Sequence, residues 1–290
     1  MLNDRGGIEA DLTVLRRAED EFYIVTGTGF ATRDFDWIKR GIPKGANAQL
    51  IDVTSGLAVL SLMGPRARDI LARVTRADLT NAALPFGTAR QIAIAGAPVW
   101  ALRVSYVGEL GWELHMPVES AATVFDALHM AGASHGLVDA GYRAIETLRL
   151  EKGYRAWAGD IGPDSTPLEA GLGFAVKPGK GEFRGREAIV AQKAMGVRKM
   201  LATVTAAPEV ILLGRETIFR NGERVGYLSS GGYGHTVGKA IGMGYVKNPE
   251  GVTRDWVLSG SYELEVATER VPCEVTLSPL YDPTHARLKS

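Results

Sequence analysis

The sequence predicts an α+β fold in two parts, and three observations predict it. Up to about residue 190, segments with helical spacing interleave with β-branched, strand-like runs. From about Met200 the texture changes to short strands separated by turn residues. Between Ile218-Phe219 and Val225-Gly226-Tyr227 stands Asn221-Gly222, a pair suited to the left-handed angles of a two-residue hairpin turn. The expected division is therefore a mixed domain over 1–190 and a strand-dominated domain over 197–285, with the boundary near Val197.

Leu12 to Arg17 and Phe22 to Thr26 read as a hairpin around the polar Glu19-Asp20-Glu21. Phe30 to Arg40 has helical spacing, with Phe30, Phe35, Trp37 and Ile38 available for burial. Ile51 to Met63 is β-branched and apolar and reads as a strand. Pro65 in a first turn, followed by Ile70, Leu71 and Val74, starts a helix over Arg66 to Val74. Ile92 to Tyr106 reads as two strands. Ser120 to His129 is an amphipathic helix that Gly132 or Gly136 can stop. Tyr142 to Lys152 is another helix, and its Glu146, Arg149 and Glu151 form a solvated or salt-bridged face. Tyr262 to Leu277 is again strand-like.

Composition narrows the function classes. Hydrophobic residues make 46% of the 290 and charged residues 23%, values of a packed globular chain. Thirty-three basic residues balance thirty-three acidic ones, so no global field selects nucleic acid or an anionic membrane. No apolar run approaches a membrane span, and Met1-Leu2-Asn3-Asp4-Arg5 is no signal peptide. Cys273 is the only cysteine, which points to a reducing, cytoplasm-like compartment. The five histidines have no metal-ligand spacing, so no metal site is expected.

Four segments carry the chemistry. The first is Asn3-Asp4-Arg5-Gly6-Gly7-Ile8-Glu9-Ala10-Asp11-Leu12-Thr13-Val14, where a paired-glycine turn delivers Asp11 into an apolar run. By itself it also suits a surface turn before an edge strand. The second is Arg103-Val104-Ser105-Tyr106-Val107-Gly108-Glu109-Leu110-Gly111-Trp112-Glu113-Leu114. Alternation after Gly111 makes a strand with Glu113 facing away from Trp112 and Leu114. The third runs Leu148-Arg149-Leu150-Glu151-Lys152-Gly153-Tyr154-Arg155-Ala156-Trp157 and on to Thr166-Pro167-Leu168-Glu169: a helix, a glycine stop and an extended loop. The fourth is the glycine-rich stretch Gly226 to Lys239. It holds neither G-x-G-x-x-G nor Gly-Lys-Ser/Thr, so it carries no dinucleotide or P-loop fingerprint. His235 within it is an acid–base candidate with no identifiable partner, and a structural loop histidine is the simpler reading.

Taken in order, these segments resemble the folate-binding aminomethyltransferase (glycine cleavage T-protein) family over residues 1 to about 285. The wording Lys152-Gly153-Tyr154-Arg155-Ala156-Trp157, and the late Pro279-Leu280-Tyr281-Asp282-Pro283, are closer to the C-terminal region of dimethylglycine and sarcosine dehydrogenases. The resemblance implies an aminomethyltransferase-like folate-binding domain followed by a small antiparallel β-barrel. It implies that Asp11 sits beside the reactive nitrogens of tetrahydrofolate. Glu113 would bind the pterin ring, where a carboxylate can accept two parallel hydrogen bonds, and Tyr106 would line the same pocket. The separation of Asp11 and Glu113 is close to that of the family's two functional carboxylates. Two departures stand out. A folate-contacting arginine of the family falls at Ile145, with Arg143 out of register, and a C-terminal ligand tyrosine falls at Ala286.

The resemblance further implies that the chain lacks an N-terminal layer of roughly another hundred residues, the size of one more packed layer. It implies one-carbon transfer from an N-methyl amine-derived iminium to tetrahydrofolate, giving 5,10-methylenetetrahydrofolate. The implied partners are a small-molecule amine substrate and a flavin-dependent dehydrogenase domain or subunit, since no FAD site is legible in this chain. The implied location is the cytoplasm, or the mitochondrial matrix in a eukaryote. Folate-dependent demethylation and a non-catalytic folate-binding fragment stay open as alternatives. The regulatory folate binders of the family carry a Lys-Gly-Cys signature, and here Tyr154 stands at the cysteine's place.

Overall fold

The computed structural model describes residues 1–290, which pack as two compact units. One joins Met1–Asp11 to Tyr142–Pro283; the other joins Leu12–Gly141 to Thr284–Ser290.

The second of these opens with β1 (Thr13–Arg16) and β2 (Phe22–Val25), the expected antiparallel hairpin, with Arg16 opposite Phe22. Helix α1 (Ala31–Gly41) follows. Phe35, Trp37 and Ile38 are only half-buried there. Residues two apart do not share a helix face, so the aromatics form no single stripe. The buried residue of α1 is Asp34, which accepts hydrogen bonds from Thr26 Oγ1 at 2.5 Å and from Arg33 Nη1 at 3.1 Å. The strand expected over Ile51–Met63 is shorter: β3 is Leu57–Met63. Asp52 accepts from the Thr54 N–H at 2.9 Å and seeds a turn over 54–56, leaving Ile51 and Val53 exposed.

Helix α2 (Ala67–Leu71) also ends early: past Ala72, the N–H groups of Arg73 and Val74 bond three residues back instead of four. The two strands expected within Ile92–Tyr106 are β4 (Ala89–Ile94) and β5 (Ala97–Leu102), joined at Ala95-Gly96, both with positive φ. With β6 (Gly111–Pro117) they form an antiparallel sheet in the order β3-β6-β5-β4. One face of the sheet packs its Trp112, Leu114 and Val99 against Ile70 and Leu71 of α2 and Val124 and Leu128 of α3 (Ala121–Gly132). Trp112 and Leu114 are 0% exposed, and Glu113 between them points away from that core.

In the other unit, α4 (Tyr142–Glu151) and α5 (Arg186–Met195) precede a closed six-stranded antiparallel barrel. Its strands are β7 (Val197–Ala206), β8 (Thr217–Arg220), β9 (Glu223–Gly234), β10 (Lys239–Val252), β11 (Tyr262–Val266) and β12 (Glu269–Thr276). The order around the barrel is β10-β7-β12-β11-β8-β9, with β9 pairing back to β10. Val204, Ile218, Leu228, Val246 and Leu264, all fully buried, fill it. The short α6 (Arg254–Leu258) is capped by Thr253. At the β8–β9 hairpin Asn221 and Gly222 hold φ of 52° and 84°, the two left-handed residues the turn requires. Helix α4 lies against β9 and β10.

Cys273 sits on β12 opposite Tyr262, and burial, helped by Glu263, pushes its thiol up to about 12. At pH 8 only about one thiol in ten thousand would then be the reactive thiolate. A thiolate-selective reagent should leave the folded protein unlabelled at pH 8 and label it promptly in urea. Equal labelling rates in both conditions would contradict this burial.

Candidate functional site

The paired-glycine turn is built by Asn3, whose Oδ1 accepts from the N–H of Arg5 at 3.0 Å and of Gly7 at 2.9 Å. Gly6 holds φ +79°, the left-handed region. Gly7 is needed for closeness: a Cβ there would stand 1.8 Å from the Pro163 carbonyl oxygen. The glycine thus admits the chain's own backbone, and Ile8 N–H bonds to the carbonyls of Ser165 at 2.9 Å and Gly162 at 3.2 Å. The turn feeds Asp11, the last residue of its unit's N-terminal segment. Asp11 remains accessible to solvent, yet the protein around it removes enough water to raise its carboxyl above the ordinary value; the amino-terminal charge pulls the other way.

Glu113 and Tyr106 both belong to the Leu12–Gly141 unit. Tyr106 lies half-buried in the loop that joins β5 to β6. Glu113 shares its face of β6 with His115, two residues on. His115 is 3% exposed, and its Nε2 approaches Glu113 Oε2 at 3.4 Å without closing a hydrogen bond. On the other side of the ring, Tyr23 OH stands 3.1 Å from His115 Nδ1. The Tyr23 hydroxyl can donate to Nδ1 or accept from it, and Nε2 lies beside the carboxylate in either tautomer. Glu113 therefore presents an anionic group, a quarter exposed, backed by a buried imidazole. Its spare acceptor positions fit a flat partner that offers two adjacent N–H groups.

Tyr23 and His115 were not singled out in the sequence. The period-two alternation that assigned Glu113 a face also assigns His115 the same one; Tyr23 comes from a different hairpin, which local pattern cannot reveal.

The face expected on α4 to be solvated or salt-bridged is salt-bridged, and largely buried. Arg149, 2% exposed, donates to Asp160 Oδ2 at 2.6 Å and through Nε and Nη2 to Glu146 at 3.1 and 2.9 Å. Asp160 also accepts from Ser229 and Ser230 of β9, at 2.5 and 2.7 Å. Glu151 accepts the N–H groups of Thr236 and Val237 at 2.7 and 2.9 Å, so a carboxylate of the chain itself organises the glycine-rich loop. Lys152, 1% exposed, donates to Asp282 Oδ2 at 2.9 Å. His235 is exposed, its ring edge-on to Tyr233 at 5.1 Å. No three His, Cys, Asp or Glu side chains gather as a metal-binding group, and no helix is long and apolar enough to cross a membrane.

Comparison with known proteins supplies the lineage. Residues 1–180 match the GCVT N-terminal domain, and residues 198–282 match the Glycine cleavage T-protein C-terminal barrel domain. The chain is 43% identical over 306 residues to mitochondrial sarcosine dehydrogenase of Mus musculus, covering 100% of this chain and 33% of that protein. It is 35% identical over 294 residues to mitochondrial dimethylglycine dehydrogenase of Homo sapiens, again covering 100% of this chain and 33% of the relative. The solved glycine cleavage system aminomethyltransferase T from Bartonella henselae superposes with a TM-score of 0.84 at 28% identity, over 98% of this chain and 75% of that one. The chain thus spans about a third of the length of these curated dehydrogenases.

Proposed function

We propose, from the premise that this chain belongs to the glycine cleavage T-protein family, that it is the folate module of an N-methyl amine-oxidising system. It takes the one-carbon unit of an amine-derived iminium onto tetrahydrofolate and yields 5,10-methylenetetrahydrofolate. The dehydrogenase relatives support the amine side of this reading, and a flavin-dependent domain or subunit is the partner it calls for. The proposed functional division keeps the folate-binding part within 1–190 and the barrel within 197–285. In a eukaryote the module works in the mitochondrial matrix, in keeping with the relatives' names; in a bacterium it works in the cytoplasm.

Tetrahydrofolate, as acceptor substrate, supplies two nucleophilic nitrogens that together take up the iminium carbon. The amine departs, and the two N–H protons lost from folate end on it. Glu113 accepts the paired donors of the pterin, with the buried His115 ring and, behind it, Tyr23 alongside. Tyr106 packs on or bonds to the same ring. Asp11 stabilises the positive charge that develops at the reacting nitrogens, takes up a proton as the ring closes and passes it on to the departing amine. Most of the acceleration comes from holding two reactants in register.

The observation that carries this reading is the Tyr23–His115–Glu113 arrangement: a buried imidazole behind a carboxylate with open acceptor positions. Calorimetric titration with (6S)-tetrahydrofolate tests it. Wild type should bind, and Glu113→Ala should weaken binding by about ten- to a hundredfold, the worth of one charge-assisted hydrogen-bond pair. Equal affinity in the two proteins would overturn the assignment of Glu113.

A further inference from the structure

The unit that carries the barrel has a cleft of about 500 Å³ lined by none of the residues given a folate-binding role above. Its walls include Trp157, Tyr227 and Tyr245, and four of its lining positions come from the barrel strands β9 and β10. Three cations line it: Lys199, Arg215 and Lys247.

Their charges are not balanced from within. Of the two carboxylates lining the same cleft, Asp160 is held by Arg149 at 2.6 Å and Asp164 by Arg5 at 3.2 Å. Lys199 is engaged by the Asp164 carbonyl at 2.7 Å and by Glu169 at 3.6 Å. Arg215 and Lys247 make no ion pair and no side-chain hydrogen bond; Lys247 only overhangs the Tyr227 ring at 5.8 Å. The Tyr245 hydroxyl is buried and closes no hydrogen bond, although Ser165 stands near enough to influence it. Buried hydroxyls are ordinarily satisfied, so this one points to a partner that arrives from outside.

The backbone adds an independent sign. Arg215 holds φ +92°, directly after Gly214 at +85°. A side-chain-bearing residue keeps such angles only where its surroundings enforce them, and strain of this kind gathers at ligand sites. Glycine would sit there without penalty; the chain instead places a guanidinium at the cleft.

We propose that this cleft binds an organic dicarboxylate, with Arg215 and Lys247 taking its two charges, the Tyr245 hydroxyl donating to it, and the aromatic walls covering its carbon skeleton. Two unpaired cations match two carboxylates in charge, and a planar guanidinium suits a carboxylate bidentately. The aromatic walls and the volume suit an organic molecule better than a bare inorganic ion. The dicarboxylate is either free or the acidic end of a larger aromatic molecule.

Calorimetric titrations of the 290-residue chain at low and physiological salt decide the matter, with glutarate and 4-aminobenzoyl-glutamate as probes and inorganic phosphate as comparison. Glutarate is no part of folate, so its binding stands apart from the folate reading; 4-aminobenzoyl-glutamate is the non-pterin end of folate, so its binding bears on that reading as well. Both probes should bind, more weakly at higher salt, and Arg215→Gln with Lys247→Gln should weaken binding about tenfold or more. Both residues are exposed, so the variant folds; Tyr245→Phe, which keeps the ring, should weaken binding several-fold. Tighter binding of the aromatic probe would identify the acidic end of a larger molecule as the occupant, and equal binding a free dicarboxylate. Absence of binding by both probes, equal binding by the double variant, or phosphate binding as well as glutarate would overturn the proposal.

Discussion

Asp160→Ala should lower stability by roughly 3–5 kcal/mol, the cost of stripping one partner from a buried ion pair. The side chain is 0% exposed and accepts four hydrogen bonds, from Arg149, Ser229, Ser230 and the Ala156 N–H. Alanine would strip the guanidinium of Arg149, itself 3% exposed at the side chain, of its shortest ion pair while Glu146 stays at 2.9 Å. It would also remove one hydrogen bond each from the Ser229 and Ser230 hydroxyls, which keep Met243 O and Arg149 Nη2, and take the carboxylate from the Ala156 N–H. Asp160→Asn keeps the shape and part of the hydrogen bonding but loses the charge, so it should cost less than alanine. Urea unfolding, followed by far-ultraviolet circular dichroism, gives the comparison. A loss below about 1 kcal/mol for alanine, within the range of a surface pair, would mean that the network is not a structural anchor.

The same network marks where sequence reading stops. Glu146 and Arg149, three apart, have the spacing of an ion pair on a solvated helix surface, and they form one. What buries the charges instead is a set of partners far along the chain. Asp160 lies beyond a glycine stop, the Thr236–Val237 amides lie across the barrel's β9–β10 loop, and Asp282 lies near the far end. A single helix pattern holds no record of such partners. Turn chemistry shows the same contrast on a smaller scale. The β8–β9 hairpin was legible because Asn221-Gly222 suits positive φ. The β11–β12 hairpin turns at Ala267 and Thr268, with φ of 48° and 74°, residues that announce no turn. Tyr262 to Leu277 therefore read as strand-like with no break.

The face of Glu113 was legible because alternation is strict across Trp112, Glu113 and Leu114, and the core took the two apolar neighbours. The helix at Phe30–Arg40 was legible in extent but not in packing, because three large apolar residues without a common stripe bury incompletely. The cleft of Arg215, Tyr245 and Lys247 left no local trace: its residues come from a loop and a strand that only barrel closure brings together.

Asp11→Asn should lower turnover by about 10²- to 10⁴-fold, the usual contribution of a positioned acid–base group, while tetrahydrofolate affinity stays within about threefold. Asparagine matches aspartate in shape, but it carries no charge to offset developing cation and cannot take up a proton. The measurement joins this chain to a flavin-dependent domain that oxidises an N-methyl amine. It then follows the share of one-carbon units recovered as 5,10-methylenetetrahydrofolate instead of formaldehyde. The pH profile sharpens the test. Desolvation raises the Asp11 carboxyl above the ordinary 3.8, so the reactive carboxylate form is lost as pH falls through that raised value. The wild-type rate should show this acid limb and the asparagine variant should lack it. The effect on folding runs the opposite way. A carboxyl whose folded value is raised favours the fold while protonated, and that contribution declines as pH rises through the raised value. The neutral asparagine variant should therefore be at least as stable as wild type at pH 7. A drop in turnover with unchanged urea midpoint and unchanged affinity would place the loss in the chemical step. Turnover equal to wild type would remove Asp11 from the mechanism.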